Sequence, residues 1–409
     1  MRTVSIEELT ALVAARGLAN PRIVTSGNFA TPRTTLAPLL ASLEQARLNC
    51  LNAQPGLDLH DGIVPETSFV GAGVRRSPRL AYVPARLSTV PGLFATALPP
   101  DVVVVHTTLP RDGRVSLGVE VNIMPAAVEA ARARGALVVA QMNPRMPWTF
   151  GDAELDLELI DVGVEVDEPL ASHVAVPPGD DAVAIGSRVA EEVRDGSTLQ
   201  AGIGEVPDAT VARLTDRRGL RIWTEMFSDG VLALERAGVL DPGVEIVTSF
   251  VFGSEELYAW LDRNPRVRLR RTEVTNAPSV IAQQPGMTSI NTALQVDLFD
   301  QANASRINAR IYSGFGGQTD FTVGATHSPG GQAFMALRSW HPRADVSTIV
   351  PLIDEPVTSF QHSAVVTEQG LARMTGRSEK EQAANLISHA AHPDVRDELW
   401  EEAGALGLA

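Results

Sequence analysis

The sequence has almost no cysteine and almost no lysine. Cys50 is the only cysteine among 409 residues, which excludes an internal disulfide framework and a metal site built from several thiolates. A single thiol is typical of a reducing compartment. Lys380 is the only lysine, so arginine supplies 33 of the 34 basic residues.

Long apolar runs and positive charge are also scarce. No uninterrupted apolar stretch reaches the roughly 18 residues of a membrane span, and the N-terminus lacks the apolar segment of a secretion signal. The formal charge of −15, from 34 basic against 49 acidic residues, disfavours nucleic acid and anionic membranes as partners. We therefore expect a soluble cytoplasmic protein.

Several catalytic signatures are missing from the sequence. It contains no G-x-S-x-G, no Walker sequence and no H-E-x-x-H, so a serine hydrolase, an NTPase and a zinc protease have no motif. The turns GIGEVP and GFGGQT do not complete G-x-G-x-x-G, so a dinucleotide fingerprint is unsupported. No metal site is expected.

Hydrophobic residues make up 44% of the chain, and short apolar runs alternate with amphipathic stretches. The run Val102–Val105, the Ala-rich stretch Met124–Gly135 and the run ALVVAQM predict strand, helix and strand, a parallel βαβ unit. The fold class is therefore α/β with parallel or mixed sheets. The Pro-Pro-Gly break in VAVPPGDDAVA predicts two domains, at about 1–178 and 179–409.

The stretch LQAGIGEVPDATVARLTDRRGLRIWTEMFSDG, residues 199–230, joins a glycine turn to an acidic strand end. Gly202 and Gly204 free the backbone of the turn from the limits that a Cβ imposes. Glu225 follows the predicted strand LRIWTE, and ligands of open α/β sheets bind outside the carboxyl ends of strands. Glu225 is either a nucleophile or base, or a solvated strand-end residue.

Three further positions could take part in chemistry. Gly314, Gly316 and Gly317 in IYSGFGGQTDF could form an anion-binding turn or an ordinary glycine-rich one. Glu368 in VVTEQG follows another predicted strand, and Asn276 in EVTNAP precedes Ala-Pro. An Asn in that setting is commonly an Asx-turn residue.

These stretches, with several others, resemble the acetyl-CoA hydrolase/transferase family, the CoA-transferases that include 4-hydroxybutyrate and succinyl-CoA:acetate enzymes. In the first half the resemblance rests on FVGAGVRRSP, RDGRVSLGVEVN and QMNPRMPWTFGD. In the second half it rests on LQAGIGEVPDA, WTEMFSDGV, INTALQVDLFDQANA, YSGFGGQTDF, VVTEQGLARMTG and AHPDVRDELWEEA. It runs over nearly the whole chain and implies two CoA-transferase-type α/β domains with the active site in the cleft between them.

The resemblance also implies roles for individual residues. Glu225 would be the nucleophile, passing through an acyl–glutamyl anhydride and a glutamyl–CoA thioester. The backbone around Ile203 and Gly204, and around Gly316 and Gly317, would stabilise the oxyanion. The residues expected to bind substrate or CoA are Gly202, Asn276, Gly314 and Glu368.

The sequence departs from the family at two positions near the expected acyl pocket. Trp223 stands where His or Tyr is common, and Gln295 stands where an acid is frequent. Trp223 would crowd or dry the pocket, or it is a bulky core residue. Because arginine suits bidentate phosphate contacts, candidates for the CoA phosphates are Arg75, Arg76 and Arg338.

The expected function is transfer of CoA between a short acyl-CoA and a carboxylic acid, with CoA as a substrate and no permanently bound cofactor. Two alternatives stay open. The first is an acyl-CoA hydrolase that uses the same nucleophile, and the second is a non-catalytic CoA or metabolite sensor. The resemblance also implies a homodimer or larger homo-oligomer.

Overall fold

A computed structural model describes residues 1–173, 176–202, 204–359 and 361–409. The chain divides into two compact units, 1–174 with 247–275, and 175–246 with 276–409. The helices are α1 Ile6–Ala14, α2 Arg33–Ala41, α3 Val90–Phe94, α4 Met124–Arg134, α5 Asp180–Glu192, α6 Glu205–Ala212, α7 Asp229–Arg236, α8 Glu255–Leu261, α9 Thr272–Thr275, α10 Pro278–Ile281, α11 Gln318–His327, α12 Glu379–Asn385 and α13 Arg396–Ala405. Across the described ranges, no helix combines the length and the apolar character that a membrane span requires.

The first unit is built on an eight-stranded sheet. Its strands are β1 Arg2–Thr3, β2 Arg22–Thr25, β3 Ala46–Cys50, β4 Ile63–Thr67, β5 Ala81–Tyr82, β6 Val102–Thr107, β7 Leu137–Met142 and β8 Val162–Glu165. They lie in the order β1-β8-β7-β6-β2-β3-β4-β5, and each neighbouring pair is parallel. The predicted unit of β6, α4 and β7 is confirmed, with Gly135 left-handed at the end of α4.

The second unit has a six-stranded sheet. Its strands are β9 Thr198–Ala201, β10 Arg221–Ile222, β11 Thr288–Asn291, β12 Gln332–Ala336, β13 Ala364–Thr367 and β14 Gly370–Arg373. The order is β10-β9-β11-β12-β13-β14, parallel except for the hairpin of β13 and β14. The α/β class with mainly parallel sheets is therefore confirmed.

Helices cover both faces of this second sheet. On one face, Ile185 and Val189 of α5 pack with Phe334 of β12 and Val366 of β13. On the other face, Met335 and Val365, the strand residues next to them, pack against the C-terminal helical segments through Leu386, Ile387 and Leu399. Alternate strand residues point to opposite faces, so strands buried on both sides are apolar throughout.

Shorter strands complete the two units. They are Arg114–Ser116, Phe150–Gly151, Glu154–Asp156, Met226–Phe227, Ile246–Thr248, Phe250–Val251, Val267–Leu269, Gln295–Asp297, Ala302–Asn303, Arg306–Ile307, Arg310–Ile311, Trp340–His341, Val346–Ser347 and Ile349–Val350. Short 3₁₀ turns lie at Asn28–Ala30, Leu87–Thr89, Leu157–Leu159 and Pro393–Val395, and a π-helical turn lies at Leu386–Ala390.

The observed division differs from the predicted single break near residue 178, because residues 247–275 belong to the first unit. Strand Val267–Leu269 pairs in parallel with Phe150–Gly151. Arg271 also forms a bidentate ion pair with Glu129 of α4, at 2.7 and 2.8 Å. Pairing between segments more than 100 residues apart returns the chain to the first unit.

Candidate active site

Glu225 lies in a bend between β10 and the short strand Met226–Phe227. The Trp223 backbone N–H donates to the Leu199 carbonyl oxygen at 3.1 Å and continues the pairing of β10 with β9. The Thr224 hydroxyl donates to the Met226 carbonyl oxygen at 2.8 Å and holds the bend. Glu225 is thus fixed, half-buried, at the carboxyl end of a strand, as the sequence predicts.

Asn276 holds one oxygen of this carboxyl group. It lies between α9 and α10, where Pro278 begins the second helix. The Asn276 side chain is fully buried, and its Nδ2 donates to Glu225 Oε2 at 2.6 Å. Its amide therefore binds the predicted nucleophile and is more than a local turn residue.

Gly317 approaches the same oxygen. A Cβ added at Gly317 would lie 1.8 Å from Glu225 Oε2 and 2.3 Å from Asn276 Nδ2. The φ angle of Gly317 is −96°, so space requires the glycine here. Its neighbour Gly316 has a φ of +55°, a conformation that favours glycine. The second glycine turn and Glu225 are thus in direct contact.

Asp320 contributes a charge that the sequence analysis missed. It is buried in the first turn of α11, three residues after the N-cap Gly317. Burial raises the pKa of Glu225 to about 7, the Asn276 hydrogen bond opposes the rise, and the charge of Asp320 adds to it. The signal for Asp320 was its place in FGGQTDF, where an acid enters the first turn of the helix after the glycines.

Cys50 and His106, two other buried groups that could act as nucleophile or base, are held in unreactive states. Burial raises the pKa of the Cys50 thiol to about 12, so the thiol stays protonated. Burial lowers the pKa of His106 to about 4, so the imidazole stays neutral at physiological pH. Of Cys50, His106 and Glu225, only Glu225 has a pKa near neutrality, so it exchanges between its protonated and ionised forms at physiological pH.

Comparisons with known proteins identify the family of this chain. Residues 59–175 match the acetyl-CoA hydrolase/transferase N-terminal domain, and residues 253–403 match the C-terminal domain. The 4-hydroxybutyrate coenzyme A transferase of Clostridium kluyveri is 38% identical over 350 residues, 82% of this chain and 80% of the relative. The chain belongs to the acetyl-CoA hydrolase/transferase family. It is an enzyme of the CoA-transferase type.

Solved structures agree with the family assignment. RipA from Yersinia pestis superposes with a TM-score of 0.89 at 28% identity, covering 99% of this chain and 100% of RipA. The 4-hydroxybutyrate CoA-transferase from Porphyromonas gingivalis superposes with a TM-score of 0.80 at 30% identity, covering 99% and 98%. An acetyl-CoA hydrolase of Kluyveromyces lactis is 32% identical over 50% of this chain and 40% of its own length.

In this family member, the first glycine turn follows β9. Gly202 donates its N–H to the Ile290 carbonyl oxygen at 3.0 Å, and Gly204 has a φ of +126° at the start of α6. Because β10 and β11 flank β9 on opposite sides, this turn lies where the chain changes direction across the sheet, the usual ligand position in such folds. Ile203 lies outside the described residues.

Gly204 also lines a cavity of about 390 Å³ at this edge, together with Thr292, Arg338, Trp340 and Arg343. Arg338 is already paired, with Glu205 at 2.5 Å and Asp181 at 3.7 Å. Gly314 lines a smaller space, of about 20 Å³, beside Gln318 and Thr319. These predicted residues therefore lie at the same sheet edge or in the second glycine turn.

Glu368 lies in the tight turn between β13 and β14 and is bound to a different set of groups. Its carboxylate accepts from the Ser339 backbone N–H at 2.9 Å, from the Ser339 hydroxyl, and from Gln369 Nε2 at 3.1 Å. Burial pushes the pKa of Glu368 upward, but the hydrogen bonds from Ser339 and Gln369 outweigh it and lower the pKa. Glu368 is thus a fixed anion.

The structure shows what surrounds Trp223 and Gln295, the two residues that depart from the family pattern. Trp223 packs, partly buried, against a core cluster that includes Ile281, Met287 and Phe321, which favours its interpretation as a bulky core residue. Gln295 begins the short strand Gln295–Asp297, and its Oε1 accepts from Asn303 Nδ2 at 3.5 Å.

Proposed function

We propose that this enzyme transfers CoA between a short acyl-CoA and a short carboxylic acid, with Glu225 as the covalent nucleophile. The observation that carries the proposal is the constellation of Glu225, Asn276 and Gly317, in which a carboxylate of pKa about 7 lies against a glycine turn. The long overlap with transferases named for 4-hydroxybutyrate and for succinyl-CoA and acetate supports it.

The reaction balances without added protons or cofactors. The Glu225 carboxylate attacks the thioester carbonyl and releases CoA thiolate, giving an acyl–glutamyl anhydride. The thiolate attacks the glutamyl carbonyl, releases the first carboxylate and leaves a glutamyl–CoA thioester. An incoming carboxylate attacks that thioester, and the thiolate then attacks the new acyl carbonyl, which yields the new acyl-CoA and restores Glu225.

The surroundings of Glu225 suit each step. A carboxylate exchanges acyl groups through an anhydride and so retains the energy of the thioester, whereas a serine would stop at an ester. We assign oxyanion stabilisation to the backbone at Gly316 and Gly317, and to the turn of Ile203 and Gly204. The close contact between Gly317 and Glu225 supports the first pair.

Asn276 would orient the attacking carboxylate, and Glu368 would shape the site as a fixed anion that holds the Ser339 loop. Gly202 and Gly314 would let substrate approach the backbone. CoA enters as a substrate, and no step needs a metal or redox cofactor. From the resemblance we also propose a homodimer or larger assembly in the cytoplasm, which light scattering and cell fractionation would test.

The test is exchange with acetyl-CoA and a panel of short carboxylates, following new acyl-CoA by mass spectrometry. Wild type should form new thioesters, and Glu225→Gln should lose at least about 10³-fold in rate. Free CoA without exchange would make the enzyme a hydrolase with the same nucleophile. Binding of CoA without any turnover would favour the sensor alternative and contradict the proposal.

A further inference from the structure

The second unit contains a buried pair of ionisable side chains that the mechanism above does not use. Asp300 lies in the turn after the short strand Gln295–Asp297, and His362 lies just before β13. Both residues are almost completely buried. Asp300 Oδ1 lies 2.6 Å from His362 Nδ1, and Asp300 Oδ2 accepts from the His362 backbone N–H at 2.8 Å. Because an ionised carboxylate only accepts, His362 Nδ1 carries the proton in this contact.

Asp300 has a backbone conformation that is uncommon for a residue with a side chain. Its φ angle is +62°, in the left-handed region that favours glycine. A glycine would fit this backbone more easily, but it would offer no carboxylate to His362. Residues in such conformations cluster at functional sites, where the surrounding structure holds them. The contact with His362, and not the backbone, therefore explains an aspartate at this position.

A second carboxylate, that of Asp297, lies at the start of the same turn. It accepts from three backbone N–H groups at 2.9 to 3.1 Å, two of them from the turn itself. Burial raises the pKa of Asp297, these hydrogen bonds oppose the rise, and the charge of Asp300 adds to it. The proton on His362 Nδ1 thus stabilises negative charge in a turn that holds two interacting acids.

The two acids hold the segment 351–359 from both sides. Near the start of the segment, the Ile353 N–H donates to Asp297 Oδ2 at 3.1 Å. Beyond its end, His362 is bound to Asp300 through its ring and its backbone. Residues 351–359 form no helix or strand, so the course of this segment depends on such bonds.

The segment 351–359 lies beside the second glycine turn. Its residues Val357 and Thr358 line a space of about 20 Å³ together with Gly314 and Gln318. A space of that size holds about one water molecule. A shift of the segment would therefore be felt at once by the glycine turn.

The turn that contains Asp300 is also joined to the second glycine turn along the chain. The Asn303 side chain, just after Asp300, accepts from the Ser305 backbone N–H at 3.1 Å. The Ser305 carbonyl oxygen in turn accepts from the backbone N–H groups of Tyr312 at 2.7 Å and Ser313 at 3.2 Å. The residues that follow form the glycine turn that contacts the proposed nucleophile. A continuous chain of bonds therefore leads from the buried pair to the site.

We propose that Asp300 and His362 are positioning residues for acyl transfer. Their contact fixes the segment 351–359 and the turn that leads to the glycines, and it thereby holds Gly317 in place against the Glu225 carboxyl group. The inference rests on the proposed function, because acyl transfer at Glu225 is the step whose rate depends on this placement.

Three variants of the full-length enzyme test this proposal. His362→Leu removes the ring donor. Asp300→Asn keeps the shape of the side chain and tolerates the positive φ, but its amide can accept only one of the two bonds from His362. His362→Asn keeps an amide donor near the position of Nδ1 and is the rescue variant. Asp112→Asn, at an exposed aspartate of the first unit with a φ of +49°, is the matched control.

Steady-state kinetics and hydrogen exchange are measured on the same proteins. In His362→Leu and Asp300→Asn, kcat for CoA exchange should fall by about tenfold, while the KM for acyl-CoA stays within about twofold. His362→Asn should recover most of kcat, and Asp112→Asn should match wild type. Without substrate, hydrogen exchange followed by mass spectrometry should be faster at the Tyr312 and Ser313 amides of the two damaging variants and unchanged in β12.

A wild-type kcat in Asp300→Asn, or a lower kcat without faster exchange of these two amides, would overturn the proposal. Equal losses in His362→Asn and His362→Leu would do the same, because the donor would then be immaterial. If His362→Leu does not fold, Asp300→Asn and His362→Asn decide the matter. Failure of the proposed function would look different: the wild type would form no exchange product, while the amide exchange of the variants would still differ.

Discussion

Glu225 and Glu368 follow strands of the same sheet, yet their surroundings drive their pKa values in opposite directions. Burial raises the pKa of Glu225 to about 7, with one hydrogen bond from Asn276 against it and the charge of Asp320 adding to it. For Glu368, donors from Ser339 and Gln369 outweigh burial and lower the pKa. Position at the end of a strand therefore does not set the pKa of a carboxyl group; the balance between burial and hydrogen-bond donors does.

The largest expected effect comes from closing the space beside Glu225. In Gly317→Ala the new Cβ would collide with Oε2 of Glu225 and with Nδ2 of Asn276. Displacing a reacting group by about 1 Å costs roughly 10²-fold in rate, so exchange should fall by about that factor with folding intact.

Gly404→Ala is the control for this variant, because Gly404 lies in α13 with open space around its Cα. The comparison is made by steady-state exchange rates together with circular dichroism. A fully active Gly317→Ala enzyme would show that the contact between the glycine turn and Glu225 has no role in catalysis.

The second effect is on stability. The pKa of Glu225 in the folded protein lies above the ordinary value of 4.5, so the folded state favours the protonated form. The protonated carboxyl therefore contributes to the free energy of unfolding at low pH, and that contribution is lost as the pH rises toward and through about 7. Glu225→Gln stays neutral. Its unfolding free energy relative to wild type should therefore increase by about 2 kcal/mol between pH 5 and pH 8.

Urea unfolding of both proteins at several pH values measures this difference. If the difference in unfolding free energy between the two proteins stays constant from pH 5 to pH 8, Glu225 has the same pKa in the folded and unfolded chains.

The third effect is on the pH profile. Asn276→Asp replaces the donor to Glu225 with a second acid and should raise the pKa of Glu225 further. If the pKa rises by about one unit, the ionised fraction at pH 7 falls from about one half to about one eleventh, so exchange should fall by about fivefold and recover at higher pH.

Gln283→Glu adds the same charge at an exposed position of the same unit and should leave the profile unchanged. Rates of exchange from pH 5.5 to 9 check this. The same acidic limb in Asn276→Asp and in wild type would show that the Asn276 hydrogen bond does not hold down the pKa of Glu225.

The smallest effect concerns Glu368. Ser339→Ala removes a hydroxyl donor to a half-buried anion and should cost about 1 kcal/mol at neutral pH. Because the pKa of Glu368 is lowered, this contribution is present above the ordinary pKa and is lost as pH falls through the folded value. Ser279→Ala, exposed in α10, is the control, and a loss that stays constant as the pH falls to the acid unfolding of the wild type would contradict the account.

Much of the fold and part of the site could be predicted from the sequence. The β-branched run at Val102–Val105 and the helix ended by Gly135 carry local signals, and both elements form as expected. Glu225, Asn276 and Gly317 lie in three separate motifs, and the structure brings them into contact. The local motifs singled out these residues and the family resemblance implied their roles, but their contact in space depends on the order of strands in the sheet.

Other features could not be predicted, because they depend on distant pairing. Nothing local in residues 247–275 shows that they return to the first unit. The role of Asp320 depends on where α11 begins relative to Glu225. The Trp148 N–H donates to Asp262, which lies 114 residues further along the chain, and no periodicity in the sequence predicts that contact.

The central claim is that Glu225, and not Glu368, becomes covalently acylated. The most direct measurement is to incubate the enzyme with acyl-CoA alone, trap the activated carboxyl with hydroxylamine, and locate the hydroxamate by peptide mass spectrometry. The account predicts modification of Glu225 that depends on acyl-CoA and is absent from Glu225→Gln. Modification of Glu368, or none at either residue in an enzyme that turns over, would contradict it.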